Sequence, residues 1–107
     1  MARGLTRGDV RLVRFPPPDK ERPVLVLTRA SSLEVLGRVT VAPITSTVRG
    51  VASEVALGIE DGMKHPCAVN LHNVITIPRS IVGRAVARLD DARMRDVCRA
   101  LAFALGC

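Results

Sequence analysis

Short apolar runs, broken by glycine, proline and charged residues, recur along most of this 107-residue chain. A longer period appears only at its end. "DVRLVRF" (9–15) alternates imperfectly, Val10 and Leu12 against Asp9, Arg11, Val13 and Arg14, as a half-buried strand does. "PPPDKER" (16–22) predicts a stiff, charged connection, because its prolines have no N–H to give a sheet ladder. "PVLVLTR" (23–29) is a continuous apolar run of the kind buried on both faces. "ASSLEVLG" (30–37) reads as a loop or short turn. "RVTVAPITS" (38–46) is the next strand, where Pro43 marks an edge, a bulge or the strand end.

After a turn around Gly50, "EVAL" (54–57) predicts a short strand and "GIEDGMKHP" (58–66) a loop. "CAVNLHNVITIP" (67–78) holds one or two strands, with Val74, Ile75 and Ile77 as the β-branched signal. "SIVGRAVARL" (80–89) is ambiguous, and Gly83 argues for a turn followed by a short strand. The period then changes. Asp90 or Asp91 suits a helix N-cap, Met94, Val97, Cys98, Leu101 and Leu105 repeat at helical spacing, and Gly106 stops the helix. That stripe is expected to pack on the sheet. The pattern predicts one domain, 1–107: a mainly antiparallel, barrel-like β fold closed by one C-terminal helix.

Composition changes this picture in two ways. Hydrophobic residues make up 48% of the chain, but Phe15 and Phe103 are its only aromatics, so Val, Leu, Ile and Ala must build the core. The formal net charge is +6, carried almost entirely by arginine, with Lys20 and Lys64 the only lysines. The guanidinium fork matches phosphate or carboxylate, which favours an oxyanion partner. The cysteines Cys67, Cys98 and Cys107 form an odd set without a close pair, which fits a reducing cytoplasm better than a disulfide framework. The opening "MARGLTRGDV" has no signal-peptide core and no run approaches a membrane span, so a soluble cytoplasmic protein is expected.

Candidate chemistry is sparse. His65, Cys67 and His72 lack metal-ligand spacing, and the glycines form no phosphate-cradling loop, so no metal or cofactor is expected. What remains are polar residues at the ends of apolar strands: Arg22 before one, and Thr45, Ser46 and Thr47 after another. RNA brings its own nucleophile, the 2′-OH beside the phosphate. Cleavage then needs a group to take that proton, one to protonate the leaving oxygen, and donors for the charge building on phosphorus. An arginine beside a threonine hydroxyl supplies the electrostatic part. Arginine is a poor proton shuttle, its pKa exceeding about 12.

The order "RGDVRLVRF", a short loop, "ERPVLVLT", "VTVAPITS" and a short "EVAL" strand resembles the MazF/PemK family of toxin endoribonucleases over roughly residues 7–105. The motif residues are Gly8-Asp9, Arg22-Pro23 leading into an apolar strand, and Pro43-Ile44-Thr45 closing the next. The resemblance implies an SH3-like, CcdB-like barrel with a C-terminal helix, usually a homodimer, that cuts single-stranded RNA without metal. It implies 2′,3′-cyclic phosphate and 5′-hydroxyl products. By that resemblance Arg22 is the catalytic arginine and Thr45 the catalytic threonine, with Ser46 and Thr47 beside it for phosphate or base. The loop Pro16 to Glu21, which includes Lys20 and Glu21, corresponds to a mobile loop at the substrate groove. Where many members have an acidic-amide pair this chain has His72-Asn73, and His72 is a candidate base. A cognate antitoxin with a disordered inhibitory segment is implied as partner. Two other readings stay open: a non-catalytic nucleic-acid-binding barrel, disfavoured by the scarcity of aromatics, and a gyrase-targeting toxin on the same fold.

Overall fold

The computed structural model describes residues 4–18 and 20–107. Met1 to Arg3, and Asp19 within the proline-rich connection, lie outside the described residues. Seven strands run β1 (Asp9–Arg14), β2 (Glu21–Val26), β3 (Arg38–Thr45), β4 (Glu54–Leu57), β5 (Cys67–Asn70), β6 (Ile75–Pro78) and β7 (Val82–Arg88). A single helical turn, α1 (Ala30–Leu33), follows β2, and α2 (Asp91–Leu105) ends the fold. Every strand pair is antiparallel, in the order β4-β5-β3-β2-β1-β7, and β6 joins β3. This is the expected class, a small mainly-β barrel with a C-terminal helix.

The β2 run is buried on both faces, as its sequence implies. Val24, Leu25 and Val26 have no exposed surface. Leu25 packs with Val10, Ala42 and Val97, whereas Val24 and Val26 pack with Val13, Val39, Val41 and Leu33. One strand therefore divides two aliphatic clusters, and each buried Val or Leu contributes roughly 1.5–3 kcal/mol. Helix α2 covers the first cluster through Val97 and Ala100. Asp90 caps it, its Oδ1 accepting the Arg93 N–H at 2.8 Å, and Gly106 ends it in the left-handed region. Of the predicted stripe, Val97 is buried and Met94 and Leu101 are half-buried, but Cys98 and Leu105 are exposed.

Several boundaries differ from expectation. The segment 30–37 contains α1, and 58–66 contains a short 3-10 turn at Ile59–Asp61. Arg22 lies inside β2, paired with Val13, rather than ahead of the strand. Pro43 lies inside β3. Gly83 is no turn: it sits in β7, where the pairing shifts between Arg11↔Ala85 and Val13↔Val82. A β-carbon at Gly83 would meet the Leu12 carbonyl oxygen at 2.7 Å, so the bulge needs a glycine.

The alternation in β1 is imperfect because two of its charged residues are buried. Asp9 is 1% exposed and Arg11 6%. Asp9 Oδ2 accepts the Thr6 N–H (3.0 Å) and Arg11 Nε and Nη2 (3.1 and 2.9 Å), while Oδ1 accepts Arg88 Nε (3.0 Å). Arg11 also donates to the Gly83 and Gly4 carbonyls. The Gly8-Asp9 motif is thus a clasp joining the N-terminal segment, β1 and β7.

Candidate active site

The β2–β3 ladder runs Val26↔Val41, Leu25↔Ala42, Val24↔Pro43, and then stops. Two more rungs in that register would set Pro23 opposite Ile44 and Arg22 opposite Thr45. The Leu27 N–H donates to the Thr40 carbonyl, which makes Pro23–Ile44 the next hydrogen-bonded rung, and Pro23 has no N–H to give it. The end of β3 pairs with β5 instead, through Ile44↔Val69 and Thr45↔Ala68. Beyond the last rung a groove of about 580 Å³ opens, and Arg22 and Thr45 both line it. That volume falls within the ~300–1,000 Å³ typical of small-molecule sites.

The groove has an apolar floor and a basic rim. Leu12, Pro23, Ile44, Met63 and Cys67 supply the floor; Arg22, Thr45, Ser46, Lys64, His65 and Arg84 supply the polar groups. Among the described residues no carboxylate lines it. Thr45 Oγ1 accepts the Thr47 N–H at 3.1 Å, which fixes the hydroxyl oxygen and leaves its hydrogen to donate elsewhere. Arg84 reaches the groove from the β7 bulge, where Gly83 and Arg84 together oppose Leu12. Bulges re-aim side chains in this way.

The loop 58–66 forms the remaining wall, and α2 holds it. Arg93 Nε donates to Asp61 Oδ1 at 2.9 Å, the Gly58 N–H donates to Asp61 Oδ2 at 3.0 Å, and Arg93 also pairs with Glu60 and Asp96. Burial pulls the Asp61 pKa up, but the bonds from Arg93 and Gly58 and the Arg93 charge together hold it below the usual carboxylate value. Its hydrogen bond to Asp61 raises Arg93 in turn, against burial. Burial, then the Asp61 charge, pushes the Cys67 thiol up. Cys67 is therefore a neutral wall residue at ordinary pH and no ready thiolate.

Of the site residues expected from sequence, the structure brings Arg22, Thr45 and Ser46 to one groove. Thr47 does not line it, although its N–H donates to Thr45 Oγ1, and Lys20 and Glu21 are exposed without lining it. His72 is not part of this groove: its Nδ1 bonds Ser53 Oγ at 2.6 Å, and its N–H donates to Asn70. Lys64, His65 and Arg84 were not anticipated there. A glycine inside a strand pattern is the signal that could have found Arg84; nothing local marks Lys64 and His65 as lining the groove. Among the described residues no three of His, Cys, Asp and Glu gather as a metal site.

Comparison with known proteins places this geometry in context. A family model described as "PemK-like, MazF-like toxin of type II toxin-antitoxin system" matches residues 6–105. The chain is 40% identical over 104 residues to "Probable endoribonuclease MazF2" of Mycobacterium tuberculosis (strain CDC 1551 / Oshkosh), covering 96% of this chain and 100% of that one. Among solved structures it resembles the Mycobacterium tuberculosis toxin MazF-mt6 (TM-score 0.84, 37% identity, 92% of this chain and 96% of that one). It also resembles an endoribonuclease in complex with its cognate antitoxin from a mycobacterial species (TM-score 0.85, 25% identity, 96% of both chains).

Proposed function

The chain belongs to the PemK-like, MazF-like toxin family of type II toxin–antitoxin systems, and from that premise we propose that it is a metal-independent endoribonuclease cutting single-stranded RNA. Cleavage by attack of the 2′-OH leaves a 2′,3′-cyclic phosphate and a 5′-hydroxyl, and loss of RNA stops translation and growth. The observation that carries the reading is the groove shared by Arg22 and Thr45 beyond the last β2–β3 rung. Arg22 grips two phosphate oxygens and stabilises the charge building on phosphorus. Thr45 donates its hydroxyl hydrogen to a third position, and Ser46 contacts phosphate or base beside it. Hydrogen bonds to charged groups of this kind contribute about 1.5–3 kcal/mol each.

The rest of the reading follows from the same surface. The basic rim suits the acidic segment of a cognate antitoxin, which would cover the groove that RNA uses. A second groove of about 560 Å³, whose exposed surface is mainly apolar and is supplied in part by Leu27, Leu36, Val74, Leu101 and Leu105, supports assembly as a homodimer. Among the described residues no helix is long and apolar enough to cross a membrane, and the toxin works on RNA in the cytoplasm. Relatives named as endoribonucleases speak for RNA cleavage over the gyrase-targeting and non-catalytic readings. The test is direct. In EDTA, Arg22→Ala lowers the cleavage rate of a single-stranded RNA about 10²–10³-fold with an unchanged fold. A variant cutting at the normal rate would overturn the assignment.

A further inference from the structure

We propose that His65 is the general base of this cleavage, taking the 2′-OH proton on Nε2. The inference rests on the endoribonuclease reading and adds the proton acceptor that Arg22 and Thr45 do not provide. His65 is the one imidazole lining the groove among the described residues, and it shares the groove with Arg22, Thr45 and Arg84. Its Nδ1 lies 3.3 Å from the Pro66 carbonyl oxygen. A carbonyl only accepts, so Nδ1 carries the hydrogen in this bond and the neutral ring keeps its lone pair on Nε2. Pro66 follows His65 directly, so the contact that fixes the tautomer is built into the loop. That loop is anchored to α2 by the Arg93–Asp61 pair.

The other titratable groups lining the groove suit the task poorly. Arg22, Arg84 and Lys64 present only N–H donors to the groove. Cys67 is kept as a thiol by burial. A neutral imidazole carries one N–H and one lone pair, and in His65 the lone pair on Nε2 is the acceptor left for the 2′-OH proton. In the step, Nε2 takes the 2′-OH proton as O2′ forms its bond to phosphorus. The P–O5′ bond breaks, its electron pair goes to O5′, and O5′ takes a proton from a water molecule. The imidazolium returns its proton to the hydroxide so formed. Arg22, Arg84 and Lys64 face the phosphate throughout and carry no proton in the step.

The experiment uses the full chain in EDTA. A randomised single-stranded RNA pool is cut and its 5′ ends mapped, and an oligonucleotide carrying the mapped site is then followed under single turnover from pH 5 to 9. The wild type should show a rate that rises with pH. His65→Gln should lose about 10²–10⁴-fold at neutral pH and lose that rise. Its affinity for the same oligonucleotide with a 2′-deoxy at the cut should stay within about twofold, and added imidazole should partly restore His65→Ala. A His65→Gln profile that overlays the wild type, or a lowered rate that keeps the same rise, would overturn the proposal while leaving the endoribonuclease reading standing. A wild type that cuts no RNA would overturn both.

Discussion

Strands β1 and β7 carry arginines into two different surroundings. At one end, Arg11 and Arg88 converge on the buried carboxylate of Asp9, with backbone carbonyls taking further donors. At the bulge, Arg84 turns into a groove shared with Arg22 and Lys64, where no described carboxylate is among the lining residues. Residue type is the same; the matching anion differs. In the first region the anion is part of the chain and the product is rigidity. In the second the RNA of the proposed function brings its phosphate to the basic rim. The net charge of +6 therefore describes the partner only after the arginines of the Asp9 clasp are set aside.

The sharpest way to break this contrast is to remove the internal anion. Asp9→Ala leaves Arg11, 6% exposed, without its carboxylate, and loss of one partner of a buried pair costs about 3–5 kcal/mol. Urea denaturation should report that loss. A change below about 1 kcal/mol would show that the clasp contributes nothing special. A smaller effect is expected at the bulge that separates the two regions. Gly83→Ala places a β-carbon 2.7 Å from the Leu12 carbonyl oxygen, which must displace β1 or β7 backbone locally and should cost about 1–3 kcal/mol. Because the bulge also aims Arg84, RNA affinity should fall in the same variant at temperatures where it remains folded. Unchanged stability and affinity would contradict the structural reading of Gly83.

Much of the fold was legible because its signals are local. The Val24–Val26 run, the "EVAL" strand and the Asp90-to-Gly106 helix each declare themselves by composition or capping. What local pattern could not show was long-range. Gly83 reads as a turn until the Leu12 carbonyl is seen against it, and the imperfect alternation of Asp9 and Arg11 with Val10 and Leu12 has no local explanation until Arg88 and the Gly4 and Gly83 carbonyls are found. The site divides similarly. Arg22 and Thr45 could be named from the ordered Arg22-Pro23 and Pro43-Ile44-Thr45 motifs, and the structure sets both on the groove beyond the last β2–β3 rung. His65 and Lys64 were missed because they come from a loop whose position depends on Arg93 of the distant α2. His72 attracted notice by its neighbours in sequence but bonds Ser53 instead.

The central claim is that an interrupted ladder makes Arg22 and Thr45 one phosphate-binding unit. A double-mutant cycle on RNA cleavage tests it most directly, using Arg22→Ala, Thr45→Val and the double variant in EDTA under single turnover. Two groups gripping one phosphate act together, so the double variant should be no slower than about threefold below Arg22→Ala alone. Full multiplication of the two single losses would mean that the residues act at separate places, and would contradict the account.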